Sequence, residues 1–374
     1  MIDKVRLIKL TRKLIKINSE NPPGNESALA NFVQGYLKKL GLRVRIYEFQ
    51  KNRSNLLAYL ERPGKRHQLL ITPHLDTVCA GKNWRFDPFA ATIVGNKIYG
   101  LGATDCKANL AVALEAINSL VEDKKYLNYD LILAATADEE CGSDLGLIPL
   151  LDKKILKPDA ALVLDADDFE IIIAQKGLLH LKIKIEGKRA HGAYPYLGVN
   201  AIDIALDVIQ EAKSHKFPYS RNKYLKAPTI NIGTIRGGDK VNIVADWCEF
   251  EVDFRFLPGT KAEEILGVLK KILNKRAKKY KLEASSIQQT YTISEKHPLV
   301  SCLKKAMRDF AVKPRITGSE GATVITFFQQ QHIPAVASGF GTAGCAHSSN
   351  EYARISNLYK GAQVLERFLV NYKF

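Results

Sequence analysis

The side chains best suited to chemistry in this 374-residue chain are histidines and carboxylates that follow short apolar runs. Leu69, Leu70 and Ile71 lead through Pro73 into His74-Leu75-Asp76, and residues 131–135 lead into Asp138-Glu139-Glu140. Residues 160–164 end at Asp165, and residues 334–337 pass through a Gly-rich stretch, 339–344, to His347. Imidazole nitrogens and carboxylate oxygens are the donors of a hydrolytic divalent-ion centre. A two-ion centre needs about six of them, one shared, and a base that takes a proton from water. Asp76 is spaced to accept from the second ring nitrogen of His74 and fix its tautomer. Asp105, between a Gly-rich turn and a helical pattern, reads either as a helix N-cap or as a ligand. The adjacent carboxylates Glu139 and Glu140 repel each other unless they share a cation or proton, or lie on an exposed loop. His191, within Arg189-Ala190-His191-Gly192-Ala193-Tyr194-Pro195, reads on its own as a turn histidine. Order and spacing, more than any single residue, carry the case.

Such residues need a scaffold that makes them converge. Continuous apolar strands suit a sheet buried on both faces. A helical pattern at 109–120 lies between them, which predicts an α/β domain. Ligands of open α/β sheets gather at the carboxyl ends of strands, so four strands ending in Asp, Glu or His would meet at one site. The middle of the chain follows a different period. Leu179, Leu181, Ile183 and Ile185 alternate with polar residues, as do Phe250, Val252, Phe254 and Phe256. That is the pattern of strands with one wet face. A helix at 200–212, a strand at 229–235, a second helix and a last strand near 282–289 complete a split βαβ order. The prediction is a two-domain protein. Its mixed-sheet α/β catalytic domain comprises 1–177 and 291–374, and an α+β ferredoxin-like lid or dimerisation domain is inserted at 178–290.

Length agrees, since 374 residues exceed the usual size of one hydrophobic core. No run approaches the roughly 20 apolar residues of a membrane span. Residues 1–17 lack the pattern of a secretory signal, so a cytoplasmic protein without a membrane partner is expected. The six cysteines include no C-x-x-C pair, although Cys79, Cys106, Cys141 and Cys345 flank the site motifs. The net charge of +16 invites a nucleic-acid reading. Its densest run, 270–281, is instead spaced with Ile265, Leu269, Ile272 and Leu273 as an amphipathic helix with a solvated lysine face. No nucleic-acid partner is expected, and the charge favours anionic substrates.

Taken in order, these residues resemble the zinc metallopeptidase and deacylase family of acetylornithine deacetylase, succinyl-diaminopimelate desuccinylase, aminoacylase and glutamate carboxypeptidase. The carriers are Pro73-His74-Leu75-Asp76-Thr77-Val78, Tyr99-Gly100-Leu101-Gly102-Ala103-Thr104-Asp105-Cys106-Lys107, Asp138-Glu139-Glu140 and Lys176-Gly177. His191 with Pro195, Gly198, Asn200 and Ala201, then Asn242, Arg255 and His347-Ser348-Ser349-Asn350-Glu351, extend the resemblance over essentially the whole chain. It points to the acetylornithine deacetylase/desuccinylase-like branch. The resemblance implies two Zn²⁺ ions, with Co²⁺ or Mn²⁺ as alternatives. His74 and Asp165 would hold one ion, Glu140 and His347 the other, and Asp105 would bridge them. Asp76 would orient His74, and Glu139 would be the general base for attack by the ion-bridging hydroxide. His191 would stabilise the oxyanion, in relatives often from the partner subunit of a homodimer. Arg255, Asn242 and Gly318 would contact a small substrate bearing a carboxylate. The implied function is removal of an acyl group from an N-acyl amino acid. The alternative is a metallo-aminopeptidase or dipeptidase acting on small unblocked peptides.

The sequence departs from the family in places. Asp165 stands where the deacetylases usually have Glu, and Asp is more typical of the aminopeptidases and dipeptidases. Leu101 replaces a common Arg, and Cys106 a common Met or Asn. Gly318-Ser319-Glu320-Gly321-Ala322-Thr323 lacks the Arg of the desuccinylase pattern, which argues against a succinylated substrate.

Overall fold

The apolar runs that precede the candidate ligands form four adjacent parallel strands. Their lateral order is Asp130–Ala135, Gln68–Thr72, Ala160–Val163, Ala335–Ser338. One row of the register, Leu133, Ile71, Leu162 and Val336, crosses all four and is fully buried. The structure is a computed structural model that describes residues 1–61, 64 and 66–374. Antiparallel strands flank the parallel core. Ser54–Leu60 and then Arg43–Glu48 lie on one side, and Glu170–Gln175 lies on the other. Arg315–Ser319 and Tyr291–Thr292 pair with that last strand, which makes nine strands among the described residues. The sheet is therefore mixed, as expected for this fold class.

Two compact units are present: Met1–Ile173 with Ile293–Thr317 and Phe327–Phe374, and Ala174–Thr292 with Gly318–Thr326. In the larger unit, helix Lys107–Glu122 is buried from Lys107 to Leu120 and packs against helices Lys4–Ile15 and Ile355–Asn371. Its alanines at 108, 111, 113 and 116 permit close approach on several sides.

The smaller unit runs Gly177–Glu186, Ala201–Ser214, Thr229–Gly237, Trp247–Phe256, Ala262–Arg276, Lys279–Gln288. Its strands form an antiparallel sheet ordered Thr229–Gly237, Trp247–Phe256, Gly177–Glu186, Lys279–Gln288, the split βαβ arrangement. The alternating residues Leu179 to Ile185 and Phe250 to Phe256 meet Ala205 and Val208 of one helix and Ile265 and Leu269 of the other in one core. Asn200 caps the first helix, accepting the Ile202 N–H at 3.0 Å. The basic run 270–281 is not one helix. The helix ends at Arg276, and Lys279 and Lys281 belong to the next strand. Lys275 and Arg276 bond Glu211 of the neighbouring helix.

Gly318–Thr326 groups with the smaller unit for visible reasons. A Cβ on Gly318 would lie 2.6 Å from Leu225, and Thr323 bonds Gln175 through both its N–H and its hydroxyl. Among the described residues, no helix is long and apolar enough to cross a membrane.

Candidate metal centre

Four parallel strands end at one edge, and the loops that leave them carry four of the five candidate ligands. Asp105 comes instead from the turn after strand Lys97–Tyr99 of a separate three-stranded sheet. His74 is buried two residues beyond Thr72. Cys106 holds its backbone from behind, its sulfur accepting the His74 N–H at 3.1 Å and donating to the His74 carbonyl at 3.4 Å. Burial pushes this thiol up to about 12. Asp105 is not a helix cap. Helix Lys107–Glu122 is capped by Cys106 without a side-chain bond, so the Asp105 carboxylate is available to the imidazoles. One of its oxygens lies 2.8 Å from His74 Nε2, and the other lies 3.2 Å from His347 Nε2. His347 also reaches Glu140 at 3.0 Å.

Glu139 and Glu140 occupy a short turn held on two sides. Asp76 accepts the N–H of Glu139 and that of Glu140, each at 3.1 Å, and lies 3.5 Å from His74 Nδ1. Behind the turn, Asp138 adopts a left-handed conformation, φ 64°. Its oxygens accept from Arg53 at 2.7 Å, Asn21 at 3.2 Å and the Leu145 N–H at 3.0 Å. Arg53 also forks onto the buried Glu26, and Asn21 bonds Asp76 at 2.9 Å. Asn21, Glu26 and Arg53 escaped the sequence reasoning. They lie far from the motifs, and no local spacing distinguishes them from surface polar residues.

Asp165 follows strand Ala160–Val163, with ligand atoms of His74, Glu139 and Asp165 within 4.8 Å of one another. Asp168, three residues further on, is instead occupied by the Ala343 N–H at 3.2 Å and by Asn357 at 2.8 Å. Asp105, Glu140 and His347 form a second such group.

The electrostatics follow from burying like charges. Burial, then repulsion from Asp105, pushes Asp165 up to about 7. Burial and the nearby Asp165 raise Glu139 well above the usual carboxylate range. Burial would raise Asp105 too, but hydrogen bonds from His347 and His74 outweigh it and hold this carboxyl well below that range. Those to Asp105 and Glu140 push His347 up to about 10. Among the described residues no lysine or arginine forms an ion pair with Asp105, Glu139, Glu140 or Asp165. Without metal, protons are left to balance four carboxylates. That donor set, oxygen and imidazole with an uncompensated negative charge, fits divalent cations.

The remaining predicted site residues belong to the smaller unit. His191 is exposed, and its Nδ1 accepts the Ala193 N–H at 3.0 Å. Asn242 adjoins it, its carbonyl accepting the Gly192 N–H at 2.8 Å. Arg255 forks onto Asp253 at 2.7 and 2.9 Å. Gly318 is the tightly packed position described in the fold.

Comparison with known proteins extends these observations. The model of "Peptidase family M20/M25/M40" matches residues 70–371. An acetylornithine deacetylase of Vibrio cholerae is 28% identical over 94% of this chain and 93% of that protein. The crystal structure of aminopeptidase PepT from Bacillus cereus superposes with a TM-score of 0.83 at 24% identity, covering 99% of this chain and 98% of that one. A tripeptidase from Staphylococcus aureus gives 0.82 at 26% identity, with the same coverages. The chain belongs to peptidase family M20/M25/M40 and is a metal-dependent hydrolase of amide bonds.

Proposed function

We propose that this protein removes the acyl group from an N-acyl amino acid at a centre of two zinc ions. The observation that carries the reading is the place of Asp105, one oxygen towards each imidazole, beside Glu139 and Glu140. His74 and Asp165 would hold one ion, His347 and Glu140 the other, with Asp105 between them. Cobalt or manganese could substitute on the same donors. Two divalent ions, when bound, supply Lewis-acid activation of a water and polarisation of the scissile carbonyl. Glu139 takes the proton of the attacking water and returns it to the departing amine, a role suited to a carboxyl raised by burial. Asp76 keeps His74 and the Glu139–Glu140 turn in register. His191 serves as oxyanion donor, and Arg255, Asn242 and Gly318 as contacts to a carboxylate-bearing substrate, in a homodimer.

The deacylase choice is supported by the acetylornithine deacetylase named among the relatives, with near-complete coverage of both chains. One observation favours a second reading, an exopeptidase on unblocked peptides. Asp165 is the acid that family resemblance associates with the peptidases, and the structural neighbours include an aminopeptidase and a tripeptidase. A matched panel separates the two: N-acetyl and N-succinyl amino acids against unblocked dipeptides, with zinc-loaded protein, with and without chelator. Turnover of N-acyl substrates alone, lost on chelation, is the expected result. Turnover of dipeptides alone would overturn the deacylase reading in favour of the peptidase.

A further inference from the structure

Glu351 is 1% exposed, and one turn occupies both of its carboxylate oxygens. Oε1 accepts the backbone N–H of Thr104 at 2.6 Å and that of Asp105 at 3.0 Å, while Oε2 accepts that of Gly102 at 2.9 Å. Its backbone carbonyl accepts the Gly100 N–H at 3.0 Å. Three backbone N–H donors of one turn thus converge on the two oxygens of a single buried side chain, each oxygen acting as acceptor. The same turn is stitched on either side. Thr104 Oγ1 donates to the Tyr352 carbonyl at 2.9 Å and accepts the Thr342 N–H at 3.1 Å. From below, the turn rests on the stem of the buried Lys107, whose Cδ lies 2.9 Å from where a Cβ on Gly102 would sit. Lys107 donates to the Ile17 carbonyl at 2.7 Å and places a positive charge near the buried carboxylate.

The segment making these bonds, 342–352, is also the one that carries His347, four residues before Glu351. The turn it grips ends at Asp105, whose carboxylate faces that histidine. We propose that Glu351 is a positioning residue that locks Asp105 and His347 into one ligand unit, on which tight binding of the ion shared by Asp105, Glu140 and His347 depends. The inference rests on the two-ion reading of the centre. A carboxylate that merely stabilised the fold would affect melting alone. One that sets the ligand geometry also affects ion affinity in protein that remains folded, where partners behind the ligands typically contribute about 10–100-fold.

Glu351→Gln tests this, because its amide keeps the shape but turns an N–H₂ towards one of the three N–H groups. The measurement is Zn²⁺ affinity and stoichiometry of chelator-stripped protein, by competition with a chromophoric chelator, with circular dichroism to establish folding. Glu115→Gln is the control. That carboxylate is also fully buried, bonded by Arg6 and the Asp3 N–H, but it touches no candidate ligand. The expected result is that E351Q binds the ion held by Glu140 and His347 about 10–100-fold more weakly, with a smaller loss at the other ion, which shares only Asp105. E115Q melts lower and binds both as wild type does. Should E351Q not fold, Glu351→Asp, which keeps the charge but shortens the reach, carries the same expectation. Wild-type affinity for both ions in either folded Glu351 variant, or equal weakening in E115Q, would overturn the inference alone. A wild-type protein that takes up no ions would overturn the two-ion reading and this inference with it.

Discussion

The carboxylate of Asp76 accepts the backbone N–H of Glu140 at 3.1 Å, so an acid in the loop after one strand fixes a candidate ligand after the next. Its other oxygen receives the Glu139 N–H and lies within 3.5 Å of the His74 ring. One side chain thereby sets a ligand on each side of the centre together with the proposed base. Asp76→Ala is expected to weaken zinc binding by about 10–100-fold and to lower kcat/KM in parallel. Chelator competition alongside steady-state kinetics checks this. Loss of kcat/KM at unchanged ion affinity would assign Asp76 to chemistry alone.

Glu139→Gln keeps the shape of the side chain and removes the proposed base. Zinc content and KM are expected to stay near wild type while kcat falls about a hundred- to ten-thousand-fold. Metal analysis and saturation kinetics on one preparation test the split, and a variant with wild-type kcat would remove Glu139 from the proton transfer.

The pH dependence of the metal-free fold has a definite sign. Asp165 sits at about 7, above its ordinary 3.8. Its contribution to stability is complete below about pH 4 and is lost as the pH rises through about 7. Asp105, held low, acts in the opposite sense only at more acidic pH. In chelator, Tm should fall between about pH 5 and about pH 8, and Asp165→Asn should flatten that fall. Zinc binding should also release protons to the buffer over this range, measurable by calorimetry in buffers of different ionisation enthalpy.

Arg53 is 5% exposed and bonds two buried carboxylates, Glu26 and Asp138. Arg53→Ala leaves both acids buried without their cation, at a cost of about 3–5 kcal/mol. A clear drop in Tm is expected, with reduced activity because Asp138 anchors the Glu139–Glu140 turn. An unchanged Tm would mean that solvent replaces the guanidinium.

The strands and the acids and histidines at their ends were legible in sequence, because hydrophobic period and chain order are local signals. Leu69, Leu131 and Ala160 declare a doubly buried sheet, and the alternation from Leu179 to Ile185 a half-buried one. What was hidden is pairing at long range. Arg53 meets Asp138 across 85 residues and Glu351 meets Thr104 across 247, and neither pair has a spacing to read. Asp253 was open to notice. It lies two residues before Arg255 on one strand, shares its face, and takes the guanidinium that the sequence alone offers to a substrate.

Strand Ala335–Ser338 lies between Ala160–Val163 and Glu170–Gln175, two strands that are near neighbours in the chain. During synthesis those two emerge long before the strand that separates them, so the growing polypeptide must keep a gap open or later yield one. His347 and Glu351 emerge later still. On the proposed two-ion reading, ion capture would therefore be a closing event of biogenesis, and a ribosome stalled before these residues would hold a chain rich in apolar strands with no completed centre to protect it.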